Sequence, residues 1–249
     1  MSEMPELPPW AETLKQRFVS GASALFVLHG NVHDLVPWQG AWIPLAEFLA
    51  SFFGRTKDVV FFYDVASGLT FADRAMERPF RSAVDARRLL EGRPQLPELL
   101  PRDAYRLFPY VETFLRDRSQ HGAFVIEYAE TVVPDGEVSF MGESDRSMRV
   151  TVQRWAHDPG VLSTDNLVVL LTENFADLDR TVRSAPRLSA IEIPLPDEGE
   201  RFNYLHTLIQ RDGGVGMAPE RIAAGTAGLS CFQLEDLLRQ ARADGGRLA

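Results

Sequence analysis

The chain has 249 residues, of which 45% are hydrophobic and 24% are charged, and its net charge is −9. These values are typical of a folded globular protein with one large domain, or with one large domain and a small satellite. The negative charge argues against a nucleic-acid clamp, because phosphate contacts need clustered positive side chains. Cys231 is the only cysteine, which excludes a disulfide framework within the chain and a thiolate zinc cluster.

The cellular location is predicted from two features. No apolar stretch approaches the roughly 20 residues that are needed to cross a bilayer. The chain begins MSEMPELPPW, which is acidic and rich in proline, whereas a signal peptide is basic and then apolar. We therefore predict a cytoplasmic protein with no membrane partner.

Five short apolar runs predict the strands of one sheet. Their apolarity is continuous and not alternating, which indicates burial on both faces, as in a parallel sheet covered by helices. The runs cover residues 24–29, 59–63, 123–128, 167–171 and 190–193. Helical patterns at 10–19, 42–53, 103–118 and 144–155 separate or precede them. Strands that alternate with helices predict an α/β fold.

Two further segments differ from this alternation. Residues 76–101 contain four prolines and alternating charges, and we predict an irregular connection there. Beyond residue 194 no strand pattern occurs, and amphipathic helices are predicted at 198–210, 218–224 and 232–243, the last with Ser230 as its N-cap. The predicted organisation is an α/β core over residues 1–195 and a helical subdomain over 196–249.

Several motifs in the second half of the chain occur in a fixed order. Leu178 and Asp179 are followed by Arg183 and Arg187, then by IEIPLPDEGER at 191–201 and by TAGLSCFQLEDLLRQA at 226–241. This order and spacing resemble those of AAA+ ATPases. The resemblance implies a P-loop NTPase-like, five-stranded parallel sheet flanked by helices, with a small C-terminal helical lid.

The resemblance also implies roles for single residues. Arg183 and Arg187 match the arginine-finger region, whose side chains reach the γ-phosphate of a neighbouring subunit. Thr172 and Asn174, at the end of the fourth strand, match the sensor position, although one extra residue separates them.

The third strand corresponds to the family's magnesium-binding strand, which ends in aspartate and glutamate. Here the segment reads AFVIEYAE, so Glu127 occupies the magnesium position and Tyr128 the catalytic position. A tyrosine, whose ordinary pKa is near 10, cannot act as a general base at neutral pH. Glu130 is the remaining candidate for that role.

The phosphate-binding loop is the largest departure from the family. The motif G-x-x-x-x-G-K-[ST] supplies backbone amides, a lysine and a magnesium-binding hydroxyl. After the first strand this chain reads GNVHDLVPWQG, in which Gly30, Asn31, His33 and Asp34 stand in a loop without lysine or hydroxyl. The Asp34 carboxylate repels a triphosphate, so we expect no cofactor, with residual ATP and Mg²⁺ binding as the open alternative.

A metal site is the alternative interpretation of this loop. His29, His33 and Asp34 supply ligand atoms, but the two histidines lie on either side of Gly30 at a strand end and not within one helix. We therefore predict a polar cap at the edge of the sheet and no metal.

Three functions remain open from the sequence. The first is a catalytically degenerate AAA+ module, the N-terminal part of a larger ATPase, which acts as a scaffold, regulator or protein-binding domain in protein remodelling. Its partners would be AAA+ subunits, either copies of itself or a following active module, and an unknown client. The second is a noncanonical nucleotide hydrolase that uses Glu127 and Glu130. The third is a stand-alone protein-binding domain.

Overall fold

A computed structural model of the protein describes residues 7–243. Residues 1–6, which include most of the acidic start, and residues 244–249 lie outside the described residues. Within residues 7–243, no helix is both long enough and apolar enough to cross a bilayer.

Eight strands are present in the described part of the chain. They are β1 (Leu25–Gly30), β2 (Leu35–Trp38), β3 (Ala41–Pro44), β4 (Val59–Asp64), β5 (Gly68–Phe71), β6 (Gly122–Ile126), β7 (Leu167–Thr172) and β8 (Leu188–Ile193). Six of them form the central sheet, in the order β5-β4-β6-β7-β1-β8, and β2 and β3 form a separate hairpin. The strands of the sheet are parallel except β5, which pairs antiparallel with β4. The five predicted strands and the α/β class are confirmed, and β5 is an additional edge strand.

Ten α-helices accompany the strands between residues 7 and 243. They are α1 (Pro9–Val19), α2 (Leu45–Phe53), α3 (Glu77–Leu90), α4 (Ala104–Leu115), α5 (Glu143–Trp155), α6 (Pro159–Leu162), α7 (Arg180–Arg183), α8 (Glu198–Asp212), α9 (Pro219–Gly225) and α10 (Cys231–Ala243).

Helices cover both faces of the sheet, as the continuous apolar strands predict. Leu25 and Val27 of β1 point into a core shared with α3 to α7, whereas Phe26 and Leu28 point into a second core shared with α1, α2 and the hairpin. The connection from β1, through the hairpin and α2, leads to β4 on one side of the sheet. The connection from β7, through α7 on the opposite face, leads to β8 on the other side. The carboxyl ends of β1 and β7 therefore form a topological switch point, where ligands of open α/β sheets bind.

Residues 77–90 correct the prediction of an irregular connection over 76–101. They form α3, and Pro79 lies in its first turn, where a missing N–H removes no intrahelical hydrogen bond. Pro94, Pro97 and Pro101 follow the end of the helix.

The predicted helix over residues 42–53 is also corrected, because it begins only at Leu45. The preceding residues form the β2–β3 hairpin, in which Trp38 pairs with Ala41. Gln39 and Gly40 make the two-residue turn, with φ of 50° and 82°. Two consecutive positive φ values match the twist of a hairpin, and this turn therefore sets the register of the strands.

The C-terminal helices α8, α9 and α10 pack around an apolar cluster of their own, to which the hairpin contributes Leu35 and Trp42. The predicted cap of the last helix is confirmed. Ser230 Oγ accepts a hydrogen bond from the Gln233 amide at 3.2 Å, and Gln233 Oε1 accepts one from the Ser230 amide at 2.9 Å. This reciprocal pair is a capping box, and it fixes the start of α10.

Candidate functional site

A groove of about 610 Å³ lies at the carboxyl ends of β1 and β7, the switch point of the sheet. Its walls come from the loop after β1, from Glu173, from the exit of β8 and from residues 228–233. The degenerate loop predicted from the sequence therefore lies where the fold places a ligand.

The first residues of the loop bond to the neighbouring strands. The Gly30 amide donates to Glu173 O at 3.0 Å, and the Asn31 amide donates to Ile193 O at 2.9 Å. Gly30 has a φ of +95°, and a Cβ there would lie 2.6 Å from the carbonyl oxygen of Ile193. The close approach of β8 thus requires glycine at this position, and the first two amides of the loop already have protein acceptors.

Asp34 connects the loop to the last helix. Its side chain is buried, with 3% exposed, and its carboxylate accepts hydrogen bonds from the amides of Cys231 at 2.9 Å and Phe232 at 3.3 Å. Asn31 Nδ2 donates to the same carboxylate at 2.8 Å. The first amides of a helix have no intrahelical partner and carry partial positive charge, so a carboxylate there is stabilised. We call this arrangement the Asp34–α10 clamp.

The β2–β3 hairpin forms an apolar wedge beside the clamp. Val36 and Trp38 belong to the core of the sheet, whereas Leu35 and Trp42 pack against the C-terminal helices. The rings of Trp42 and Tyr204 meet edge to face, with centroids 5.0 Å apart. The segment that follows the first strand thus joins the sheet to the helices by apolar packing as well as by the clamp.

Carboxylates follow the ends of several strands at this edge of the sheet. Asp64 ends β4, Glu127 follows β6, and Glu173 follows β7 with 74% of its side chain exposed. Burial raises the pKa of Glu127, the nearby Asp64 charge raises it further, and His33 opposes both. The edge is therefore acidic.

Tyr128 occupies the position that the family resemblance assigns to the catalytic carboxylate. It lies in the left-handed region with a φ of 51°, and its ring stacks on His33 with centroids 4.9 Å apart. His33 Nε2 lies 3.7 Å from Glu173 Oε1 on its other side. His33 and Tyr128 thus form a polar cap over the end of the sheet.

The predicted sensor residues, Thr172 and Asn174, form hydrogen bonds within the turn that follows β7. Thr172 Oγ1 donates to Asn174 O at 3.2 Å, and Asn174 caps the 3-10 turn Phe175–Asp177 by accepting from the Ala176 amide at 3.1 Å. Glu130 Oε2 is buried without a hydrogen-bond partner among the described residues. The sensor role of Thr172 and Asn174 stays a prediction.

The two arginines of the predicted finger region differ in their surroundings. Arg183 Nε donates to Leu178 O at 2.6 Å, and its guanidinium lies 3.4 Å from Asp135 Oδ2. Arg187 is exposed and has no ion pair or side-chain hydrogen bond within residues 7–243. Neither side chain lines the groove, so any action of theirs would be on a neighbouring molecule.

The two histidines considered as metal ligands have separate neighbours. His29 packs 5.2 Å from the Phe175 ring, whereas His33 contacts Tyr128 and Glu173. Across the described part of the chain, no group of three or more His, Cys, Asp or Glu side chains is arranged to hold a metal ion.

Sequence reasoning missed the function of Asp34 in the fold and the acidic residues Asp64 and Glu173. The strand-end acids had a signal, since Asp64 directly follows an apolar run and Glu173 lies two residues after one. The partner of Asp34 had none, because Cys231 lies 197 positions further along the chain.

Comparisons with known proteins agree with this fold. Residues 2–194 match the family described as the AAA+ chaperone, N-terminal Rossmann-like domain. No curated protein matches the chain. A chain in the solved structure of an E. coli MS115-1 HORMA:CdnC:Trip13 complex has a similar fold, with a TM-score of 0.53 and 15% identity, over 94% of this chain and 73% of that one. The chain therefore belongs to the AAA+ chaperone N-terminal Rossmann-like domain family.

Proposed function

We propose that this chain is a catalytically inactive AAA+ module that serves as a scaffold or regulatory, protein-binding part of a cytoplasmic remodelling machine. The observation that carries the proposal is the Asp34–α10 clamp. The Asp34 carboxylate lies in the loop that corresponds to the phosphate-binding loop of an active module, and it accepts hydrogen bonds from the amino end of α10. The fold thus joins the sheet to the C-terminal helices without a nucleotide.

The charges around the groove support this proposal. Asp34, Glu173 and Glu192 line the groove, and none of its described lining residues is lysine or arginine. A like-charge pair 4 Å apart costs about 1 kcal/mol in water and more where the pair is partly buried. A triphosphate entering the groove would meet this repulsion without the lysine that usually offsets it.

The partners we propose are other AAA+ subunits and a protein client. The family is named for AAA+ chaperones, and the solved complex of HORMA, CdnC and Trip13 contains a chain of similar fold in an assembly of several proteins. An active module, following in the same protein or in a second subunit, would supply hydrolysis. Of the two arginines in the predicted finger region, Arg187 is the exposed one, and we propose that it contacts such a neighbour.

Titration calorimetry with MgATP tests the proposal. We expect no heat of binding at millimolar nucleotide and no phosphate release. Micromolar binding with turnover that is lost in Glu127→Gln, and retained in the control Glu98→Gln on an exposed loop, would contradict it.

A noncanonical hydrolase is the second candidate, and the raised pKa of Glu127 favours it. Groups with perturbed pKa values are enriched at active sites, and Glu127 directly follows β6, on the same side of the sheet as the groove. If Glu127 acts with Glu130 on a bound nucleotide, MgATP should raise the melting temperature, and Glu127→Gln should abolish phosphate release without removing that rise.

A further inference from the structure

An apolar groove lies at the amino ends of the parallel strands, opposite the candidate functional site, and takes no part in that site. It has a volume of about 370 Å³ and lies between the carboxyl ends of α1 and α2. Its apolar lining includes Leu14, Phe18, Val19, Phe52 and Phe53. A groove of this size holds a few large side chains.

The floor of the groove is preformed. Leu14 and Phe53 are buried in the core of the sheet, and Phe52 stacks on Phe48 with centroids 5.6 Å apart and an interplanar angle of 9°. Val19 stands on the rim with 77% exposed. The side chains of Leu14, Phe52 and Phe53 are therefore held in place before any partner binds, which lowers the entropic cost of binding.

Cations surround this apolar floor. Lys15, Arg55 and Lys57 line the groove, and Asp165 is the only carboxylate among its described lining residues. Lys15 and Lys57 are also the only two lysines of a chain whose net charge is −9. The groove is thus a local positive surface on an acidic protein.

The three cations have different roles. Lys57 Nζ is bonded to Asp165 O at 2.5 Å and Asp165 Oδ2 at 2.8 Å, so its charge is compensated within the fold. The Arg55 guanidinium lies over the Trp38 ring, 4.4 Å from its centroid, and has no carboxylate partner in residues 7–243. Lys15 is half exposed and pairs only with Glu12, at 3.3 Å. Arg55 and Lys15 are therefore the cations that an incoming partner can reach.

We propose that this groove binds a segment of a partner protein in which large apolar side chains are flanked by aspartate or glutamate. The apolar side chains fill the floor, and the carboxylates pair with Arg55 and Lys15 on the rim. A basic segment would face like charges, which disfavour binding. This inference does not depend on the nucleotide status of the opposite edge.

Selection of short random peptides displayed on phage against the whole chain tests this proposal. We expect the selected peptides to combine Leu, Ile or Phe with Asp or Glu. Synthetic copies, measured by fluorescence anisotropy, should bind the double variant Lys15→Glu/Arg55→Glu roughly tenfold or more weakly, because the rim charges are reversed. Val19→Asp should weaken binding similarly, and the control Arg106→Glu, an exposed arginine of α4, should leave it unchanged.

Four outcomes would overturn the proposal. The first is that no peptide is enriched, or that the enriched peptides lack acidic residues. The second is equal affinity for the wild type and the double variant, with circular dichroism showing both folded. The third is self-association in sedimentation that Val19→Asp abolishes, which would make a second copy the occupant. The fourth is binding to phosphatidylglycerol vesicles that the double variant loses, which would make a membrane the occupant.

Discussion

Two buried charges at opposite ends of the strands, Asp34 and Lys57, are compensated differently. Asp34, at the carboxyl edge, accepts hydrogen bonds from uncharged amide groups, two of them from the start of α10. Lys57, at the amino edge, is paired with a carboxylate, Asp165, next to the start of β7. The Lys57 pair joins two strands within one core, whereas Asp34 joins the sheet to separate helices. Asp34, in the loop that corresponds to the phosphate-binding loop of the family, thus holds the sheet and the C-terminal helices together.

Replacing Asp34 with alanine should have the largest effect on stability. The variant leaves the buried Cys231 amide, the partly buried Phe232 amide and the side-chain amide of Asn31 without their acceptor. Loss of a cap and exposure of unsatisfied donors together cost about 2–3 kcal/mol in the free energy of unfolding. Urea denaturation measures it, and Asp34→Asn should cost less because its amide oxygen still accepts.

Asp103→Ala is the matched control for the Asp34 variant. Asp103 caps α4 by accepting from the Arg106 amide at 3.0 Å, and it is exposed. Its loss should cost about 0.5–1 kcal/mol, the lower part of the range for N-caps. Equal losses for Asp34→Ala and Asp103→Ala would show that the clamp is an ordinary surface cap.

Lys57→Met should have a smaller effect, about 1 kcal/mol, because methionine keeps the apolar contacts and the half-exposed Asp165 stays hydrated. The pH dependence distinguishes this site. Burial alone would raise the pKa of Asp165, but hydrogen bonds from Lys57 and His121 outweigh it, so the pKa is lowered. A lowered carboxyl pKa contributes stability above the unfolded value that is lost as the pH falls through the folded value.

The acid side of the stability curve therefore separates Lys57→Met from the wild type. The wild type should lose more stability than the variant between pH 5 and pH 3 by urea denaturation, since the variant has lost part of the interaction that lowers the pKa of Asp165. Parallel curves would contradict the assigned ion pair.

Glu127→Gln should have the smallest effect, and it should be stabilising at neutral pH. Burial and the Asp64 charge raise the pKa of Glu127, so this side chain binds a proton more strongly in the folded state than in the unfolded chain. The wild type therefore loses stability as the pH rises through the folded pKa, and the uncharged glutamine avoids that loss. We expect a gain below about 1 kcal/mol at pH 7, the range for partly exposed charges, that shrinks toward acid pH. Glu98→Gln, on an exposed loop, is the control variant for this measurement.

Much of the fold could be predicted because it depends on local patterns. Continuous apolar runs identified five strands, and Ser230, as an N-cap residue, identified the start of α10. The hairpin was missed because the aromatic residues of this segment recur at helical spacing. That spacing outweighed the signals of a strand and a turn at Gln39, Gly40 and Pro44. Helix α3 was missed because Pro79 suggests a break, although a proline in the first turn of a helix is tolerated.

The candidate site was less predictable because its central contact is not local. From the sequence we predict that Asp34 repels a triphosphate, because its loop carries a carboxylate and lacks the lysine and the hydroxyl of the family motif. Its role in the fold depends on Cys231 and Phe232, which only the folded chain brings to it. Similarly, the stacking of His33 on Tyr128 requires two loops from different strands to meet.

Amide hydrogen exchange at Cys231 and Phe232 tests the central claim most directly. The first amides of a helix normally exchange fast because they lack an intrahelical acceptor. We predict that both amides are protected in the wild type, that Asp34→Ala removes the protection, and that millimolar MgATP leaves it unchanged. Fast exchange in the wild type, or protection that MgATP changes, would contradict the account of a nucleotide-independent clamp.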